Sequence, residues 1–301
     1  MLSSHGPQMP PLLMPSEMIN PIGIMQGRLS TQKGRRIQSF PVETWREEFS
    51  LAREAGLDCI EWVYEAETGE ANPLRTDGGI EEIRRQAVDS GISVSSVCAD
   101  YFMSERLVSP NGRPRNSAVD HLKFLLERTS VLGASHIVLP FVDESSLRSS
   151  AEFEGLLDLL RIVAPIAERL SVELHLETDL EPTKLVLLFE RVSHRYVRAN
   201  YDIGNSAALG RGPVEELTLL GPWLGSVHVK DRLLGGGTVQ LGSGAADFPA
   251  CFRLIHEAGF QGPFILQAAR EKGINEIELA IRNRKFIEEQ MTAEKVSRGV
   301  K

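Results

Sequence analysis

The sequence has few cysteines, few aromatic side chains, no long apolar run and no excess of positive charge. Its three cysteines, Cys59, Cys98 and Cys251, are odd in number and form no CxxC pair. Cys59 and Cys98 sit in apolar stretches, DCIEWV and SVSSVCAD, so all three read as buried reduced thiols of a cytoplasmic protein. Lys and Arg number 33 against 41 Asp and Glu, a net charge of −8. That balance argues against a nucleic-acid partner and against an anionic membrane surface, both of which call for clustered basic side chains. No stretch approaches the roughly 18 apolar residues of a membrane helix. The opening residues carry no basic segment ahead of an apolar one, so they do not read as a signal peptide. Residues 1–18 are expected to be a disordered extension and residues 292–301 a loose tail. No GxGxxG follows the first predicted strand, which weakens an open doubly wound sheet with a dinucleotide site. The glycine-rich run LGGGTVQLGSG (234–244) lacks GK[ST] and reads as a mobile loop rather than a phosphate cradle.

What is present is an ordinary globular composition, 42% apolar and 25% charged, on a chain long enough for a large core. From residue 19, short β-rich runs alternate with longer amphipathic ones. Strands are expected at 19–25, 57–64, 92–99, 136–140, 172–177, 196–202, 224–230 and 263–267. Helices are expected at 42–56, 80–91, 117–133, 153–170, 182–192, 213–221, 248–259 and 274–290, the fourth with Pro165 inside it. Eight strand–helix units in succession imply a parallel sheet closed into a (β/α)8 TIM barrel, a single α/β domain over 19–291.

The active sites of such barrels lie where strands end. The fifth strand ends in Glu177, the sixth in Asp202, the seventh in His228 and Lys230, the eighth in Gln267. Alternation puts Glu173, His175 and Glu177 on one face, Asn200 with Asp202, and Ser226 with His228 and Lys230. Polar side chains repeating on one face of apolar strands point into the barrel. Two carboxylates, one imidazole and an amide oxygen at one rim suit a single divalent ion, Mn, Mg, Co or Zn. His175, one layer lower, reads as a hydrogen-bonded interior histidine.

These runs, ELHLET, NYDIGNS, VHVKD and GPFILQAAR with IGIMQGRLS at the first strand, resemble the xylose-isomerase-like TIM barrels over about residues 19–290. The resemblance implies metal ligation by Glu177, Asp202, His228 and position 267, and a sugar or sugar phosphate as substrate. It implies an isomerase or epimerase working through an enediolate; a homodimer is implied by the resemblance alone. In the family's two-base epimerases the fourth ligand is a glutamate that also accepts a proton. Here it is Gln267, whose amide ligates but cannot accept a proton at neutral pH. Glu177 is then the natural base. Lys230, Glu61 and Asp100 are candidates for the second proton-handling group. Arg28 and Arg270 are expected to clamp an anionic group of the substrate, and Asn205, Glu61 and Asp100 to contact it. Arg35 and Arg36 read as solvated loop charge. Trp62, Tyr64, Tyr101 and Phe102 are candidate pocket walls. A metal-dependent hydro-lyase acting on a keto-polyol or keto-acid is the alternative, and a sugar-binding barrel without turnover is a third reading. An apurinic endonuclease is disfavoured by seven histidines and the acidic balance.

Overall fold

The computed structural model describes residues 20–31 and 38–299, with side chains through 293. The expected extension 1–18, Arg35, Arg36 and residues 300–301 lie outside the described residues. Eight parallel strands close a barrel in the order β1, β10, β7, β6, β5, β4, β3, β2. They are β1 (Ile22–Met25), β2 (Cys59–Val63), β3 (Ser93–Cys98), β4 (His136–Phe141), β5 (Glu173–Thr178), β6 (Val197–Asp202), β7 (Leu224–Val229) and β10 (Phe264–Leu266). Each falls inside or within one residue of its expected run. Two strands were not foreseen: β8 (Asp231–Arg232) and β9 (Thr238–Val239) pair antiparallel as a small hairpin above the rim.

The helical layer forms where the sequence alternates apolar and polar residues at helical spacing, and its ends follow local chemistry. The helix Ser150–Leu170 starts where the Ser149 side chain accepts from the Glu152 amide, and it accommodates Pro165. The helix Asp77–Ser90 stops at Gly91, whose φ of 74° favours glycine. The last helix does not end near residue 290: it runs Glu276–Gly299, so the tail expected to be loose is helical as far as Gly299.

Apolar strand residues face the helices. Trp62 is fully buried there against Phe40 and Trp45, each at 5.5 Å between ring centroids. Trp62 and Tyr64 are thus outer-layer core and not pocket walls. Tyr64 is buried beside Tyr101, which stacks on His121 at 4.0 Å. The expected free thiols are all buried. Among the described residues no helix is long and apolar enough to cross a membrane.

The barrel interior is polar in its lower layers. His136 stacks on His175 at 3.9 Å, and His175 bonds Ser226 Oγ through Nδ1 and Glu173 through Nε2, both at 2.9 Å. Gly225 makes room for this: a Cβ there would lie 2.6 Å from His175 Nε2. Burial holds both imidazoles well below their ordinary range, His175 at about 3.

Candidate metal centre and catalytic pocket

The strand register brings Asp202 beside His228 and Pro140 beside Glu177. All three candidate ligands are buried, and one ligand atom from each of Glu177, Asp202 and His228 lies within 4.8 Å of the others. His228 Nδ1 is 3.7 Å from Glu177 Oε2 and 3.8 Å from Asp202 Oδ2. Two oxygen donors and one imidazole nitrogen converging in a buried pocket fit a divalent cation.

Each ligand is held from behind. His228 Nε2 is 2.8 Å from Glu61 Oε1, and Nδ1 is 3.2 Å from Asn200 Nδ2. Asp202 Oδ1 accepts the Asn205 amide at 2.8 Å and so caps the short helix Ile203–Ala208. The Asn205 side chain donates to Glu177 Oε1 at 2.6 Å, while Arg232 donates to Asn205 Oδ1 at 2.9 Å. The two oxygens of Glu177 therefore have different tasks: Oε1 faces Asn205 and Oε2 faces His228.

Lys230 and Gln267 complete the rim. Lys230 Nζ is 2.8 Å from Asp202 Oδ2 and donates to Gln267 Oε1 at 2.8 Å. The Gln267 amide donates to Gln38 Oε1 at 3.0 Å, and Gln38 donates to Asp100 Oδ2 at 2.6 Å. Cys98 donates to the other Asp100 oxygen at 3.2 Å. This chain fixes which way the Gln267 amide points, with its oxygen toward Lys230 and Asp202.

Electrostatics divide the two carboxylates at the centre. Burial, and then the charge of Asp202, raise the Glu177 carboxyl. Burial also opposes ionisation of Asp202, but Lys230 and His228 outweigh it and hold that carboxyl below the ordinary range. Burial raises Asp100. For Glu61 burial works against the charge, yet His228 prevails and the carboxyl is lowered.

The pocket of about 300 Å³ above the centre is lined by Glu177, Lys230, Gln267, Asn205 and Asp100. A second cavity of about 200 Å³ shares Glu177 and Asn205 and runs on past Asp202, Leu209 and Arg232. Glu177, Asp202, His228, Lys230, Gln267, Asn205 and Asp100 are thus gathered as the sequence suggests.

Three of the expected substrate-contacting residues have other partners in the structure. Glu61 has no exposed surface and is spent on His228 and Ser96, so it lies under the centre and touches no substrate. Arg28 and Arg270 form a reciprocal latch. Arg28 donates to the Ala268 carbonyl at 3.0 Å, and Arg270 donates to the carbonyls of Gly27 and Ser30 and to Glu276. Burial, together with Arg270, pushes Arg28 down to about 10. Arg28 also reaches Gln38 Oε1 at 3.4 Å, and among the described residues neither arginine lines the two cavities above. The glycine-rich run, expected as a mobile loop, is tied down by hydrogen bonds. Asp231, fully buried, accepts from the amides of Gly242, Gly244 and Ala246 at 3.0, 2.7 and 3.2 Å.

Arg232 and Gln38 were missed. The signal for Arg232 was available: it stands two residues past Lys230 in VHVKDR, where the same alternation applies.

Known proteins with similar sequences or folds agree with this architecture. The L-ribulose-5-phosphate 3-epimerase UlaE of Salmonella heidelberg is 24% identical over 261 residues, 83% of this chain and 91% of that one. The solved structure of an L-ribulose 3-epimerase covers 94% of this chain and 98% of its own, with a TM-score of 0.71 at 17% identity. The IOLI protein, solved with a bound zinc atom, covers 91% and 99% with a TM-score of 0.71 at 18% identity. The family described as xylose isomerase-like TIM barrel matches residues 49–290, most of the closed barrel and all four rim positions, and this chain belongs to that family.

Proposed function

We propose that this protein is a divalent-metal-dependent isomerase or epimerase of a sugar or sugar phosphate, with Glu177 as its base. The observation that carries the reading is the divided environment of Glu177. One oxygen faces the ligand cluster and the other faces Asn205 and the pocket, while burial and Asp202 raise its affinity for a proton. Relatives that are named as sugar epimerases support the substrate class.

Glu177, Asp202, His228 through Nδ1 and Gln267 through Oε1 would hold the ion. Bound there, a divalent cation supplies positive charge to the carbonyl and hydroxyl oxygens of a ketose. Glu177 takes the proton from the carbon next to the carbonyl. Asn205 keeps the accepting oxygen in place, and Arg232 keeps Asn205 in place. Lys230, an ammonium beside Asp202 and Gln267, is the donor within reach of the other side of the pocket. Gln267 donates and accepts hydrogen bonds but takes no proton.

That last point favours a second reading on its own account. Loss of water from a keto-polyol or keto-acid needs one base and one acid, which Glu177 and Lys230 provide. Metal analysis of the purified chain, followed by deuterium exchange from solvent into ketoses, their phosphates and keto-inositols, separates the cases. Exchange or interconversion supports the isomerase or epimerase. Release of water supports the lyase. A barrel that binds a sugar yet is silent across the panel overturns both.

A further inference from the structure

We infer that Glu61 is the positioning residue of the metal centre: it fixes the His228 imidazole so that Nδ1 faces Glu177 and Asp202, and it lends the site the negative charge that an amide at position 267 withholds. The inference rests on the metal reading above and goes beyond it.

Glu61 sits on β2, across the barrel interior from His228 on β7. It is 0% exposed, and its oxygens have one partner each: Ser96 Oγ donates to Oε2 at 2.6 Å, and Oε1 is 2.8 Å from His228 Nε2. An ionised carboxylate only accepts, so Nε2 must carry a proton and Nδ1 is left as the nitrogen that can ligate. Nδ1 is also the nitrogen that points at Glu177 and Asp202. Asn200 Nδ2 lies 3.2 Å from that same Nδ1 and is held by Ser226, whose hydroxyl donates to Asn200 Oδ1 at 2.7 Å; an ion bound at Nδ1 takes the lone pair that this amide meets in the metal-free protein.

Burying a carboxylate this completely is costly unless a positive group answers it. Among the described residues no lysine or arginine bonds Glu61; its answer is the imidazole, and through the imidazole an ion. A carboxylate behind a ligating histidine makes the histidine a stronger ligand. Three anionic groups, Glu61, Glu177 and Asp202, then face the site even though Gln267 is neutral. Glu61 thus stands for the charge that the fourth ligand lacks, one bond further out.

The test titrates Co2+ and Mn2+ into the metal-free full-length chain and records the visible spectrum of the Co2+ form. Wild type is expected to take one ion. Glu61→Gln keeps an acceptor for Nε2 but drops the charge, and is expected to bind about 10–100-fold more weakly. Glu61→Leu removes the acceptor as well. It is expected to bind more weakly still, with a changed Co2+ spectrum, because the imidazole is no longer pinned. A residue that serves folding alone would move melting temperature but not the spectrum. Affinities within twofold of wild type in both variants, with an unchanged spectrum, overturn the inference while leaving the metal centre standing. If Glu61→Leu does not fold, Glu61→Gln decides alone by the same twofold limit. A wild-type chain that takes no ion overturns the metal reading itself.

Discussion

Glu177 is the residue on which the proposed chemistry depends most. Glu177→Gln is nearly isosteric and keeps an oxygen toward the cluster, so turnover at saturating metal should fall by roughly 10²–10⁴-fold while the fold persists. Steady-state rates and far-UV circular dichroism on one preparation check it. Substantial activity would move the base elsewhere, with Lys230 next. Arg270 tests the opposite kind of residue. Its guanidinium is spent on carbonyls of the β1 loop and on Glu276, so Arg270→Ala should cost about 1–3 kcal/mol of stability. It should alter KM for neutral and phosphorylated sugars alike; selective loss of the phosphorylated substrate would restore it as an anion clamp. His136, with His175 stacked on it, carries part of the pH dependence. Burial lowers its pKa well below the ordinary value, so the folded state holds it neutral. Its contribution is fully present above about pH 6.5 and is lost as the pH falls and the unfolded chain takes up a proton. At pH 5 the unfolded chain is protonated here while burial keeps the folded imidazole neutral, so this group weighs against the folded state. Denaturant titrations at pH 7.5 and 5 should show it, and His136→Asn should lose less between those values. Residue types and spacing sufficed to find Glu177, Asp202 and His228, because strand alternation decides where a side chain points. They did not suffice for Glu61, Arg28 or Arg270. A charge in a sequence does not say whether it will meet solvent, a substrate or a backbone carbonyl.

At the scale of elements, the eight barrel strands were legible because each is a short apolar or alternating run bounded by helix-stopping residues. The hairpin of β8 and β9 was not. Its strands are two residues each, too short for any period, and its order comes from one buried carboxylate gathering amides from residues 242–246. Glycine is needed there for closeness: a Cβ on Gly244 would lie 2.2 Å from Asp231 Oδ1. The hairpin carries Arg232, and Arg232 bonds both the Gly236 carbonyl and Asn205. Asp231→Ala should therefore leave three amides without their acceptor and cost about 2–4 kcal/mol. It should also speed hydrogen exchange across 233–246 and weaken turnover through Asn205 rather than through metal affinity. Exchange in that segment as slow as in wild type would show that the hairpin holds without the carboxylate.

At the scale of the whole molecule, the site joins parts of the chain that are distant in sequence. Its candidate ligands come from β5, β6 and β7, with Gln267 proposed at the end of β10, while Glu61 reaches His228 from β2. β10 closes the barrel onto β1 through only three paired positions, reinforced by the Arg28 and Arg270 latch above them. In the metal-free protein three buried carboxylates face the interior around one imidazole and one ammonium, an arrangement in which like charges oppose each other. An ion placed among them relieves that opposition only in the folded state, because the unfolded chain does not bring the ligands together. Binding must then stabilise the whole barrel by mass action, about 2.7 kcal/mol at an ion concentration one hundred times Kd. At this chain length that is a rise in melting temperature of about 4 °C. The rise should be graded among Mn2+, Co2+, Zn2+ and Mg2+ in the order of their affinities. Asp202→Asn should lose most of the rise and should also melt lower than wild type without metal, since it leaves Lys230 and His228 without the carboxylate they hold in its charged form. Calorimetry with and without each ion checks both. A melting temperature indifferent to all four ions, in a chain that still folds, would mean that Lys230 and His228 already satisfy these carboxylates and that the proposed chemistry must be rebuilt on them.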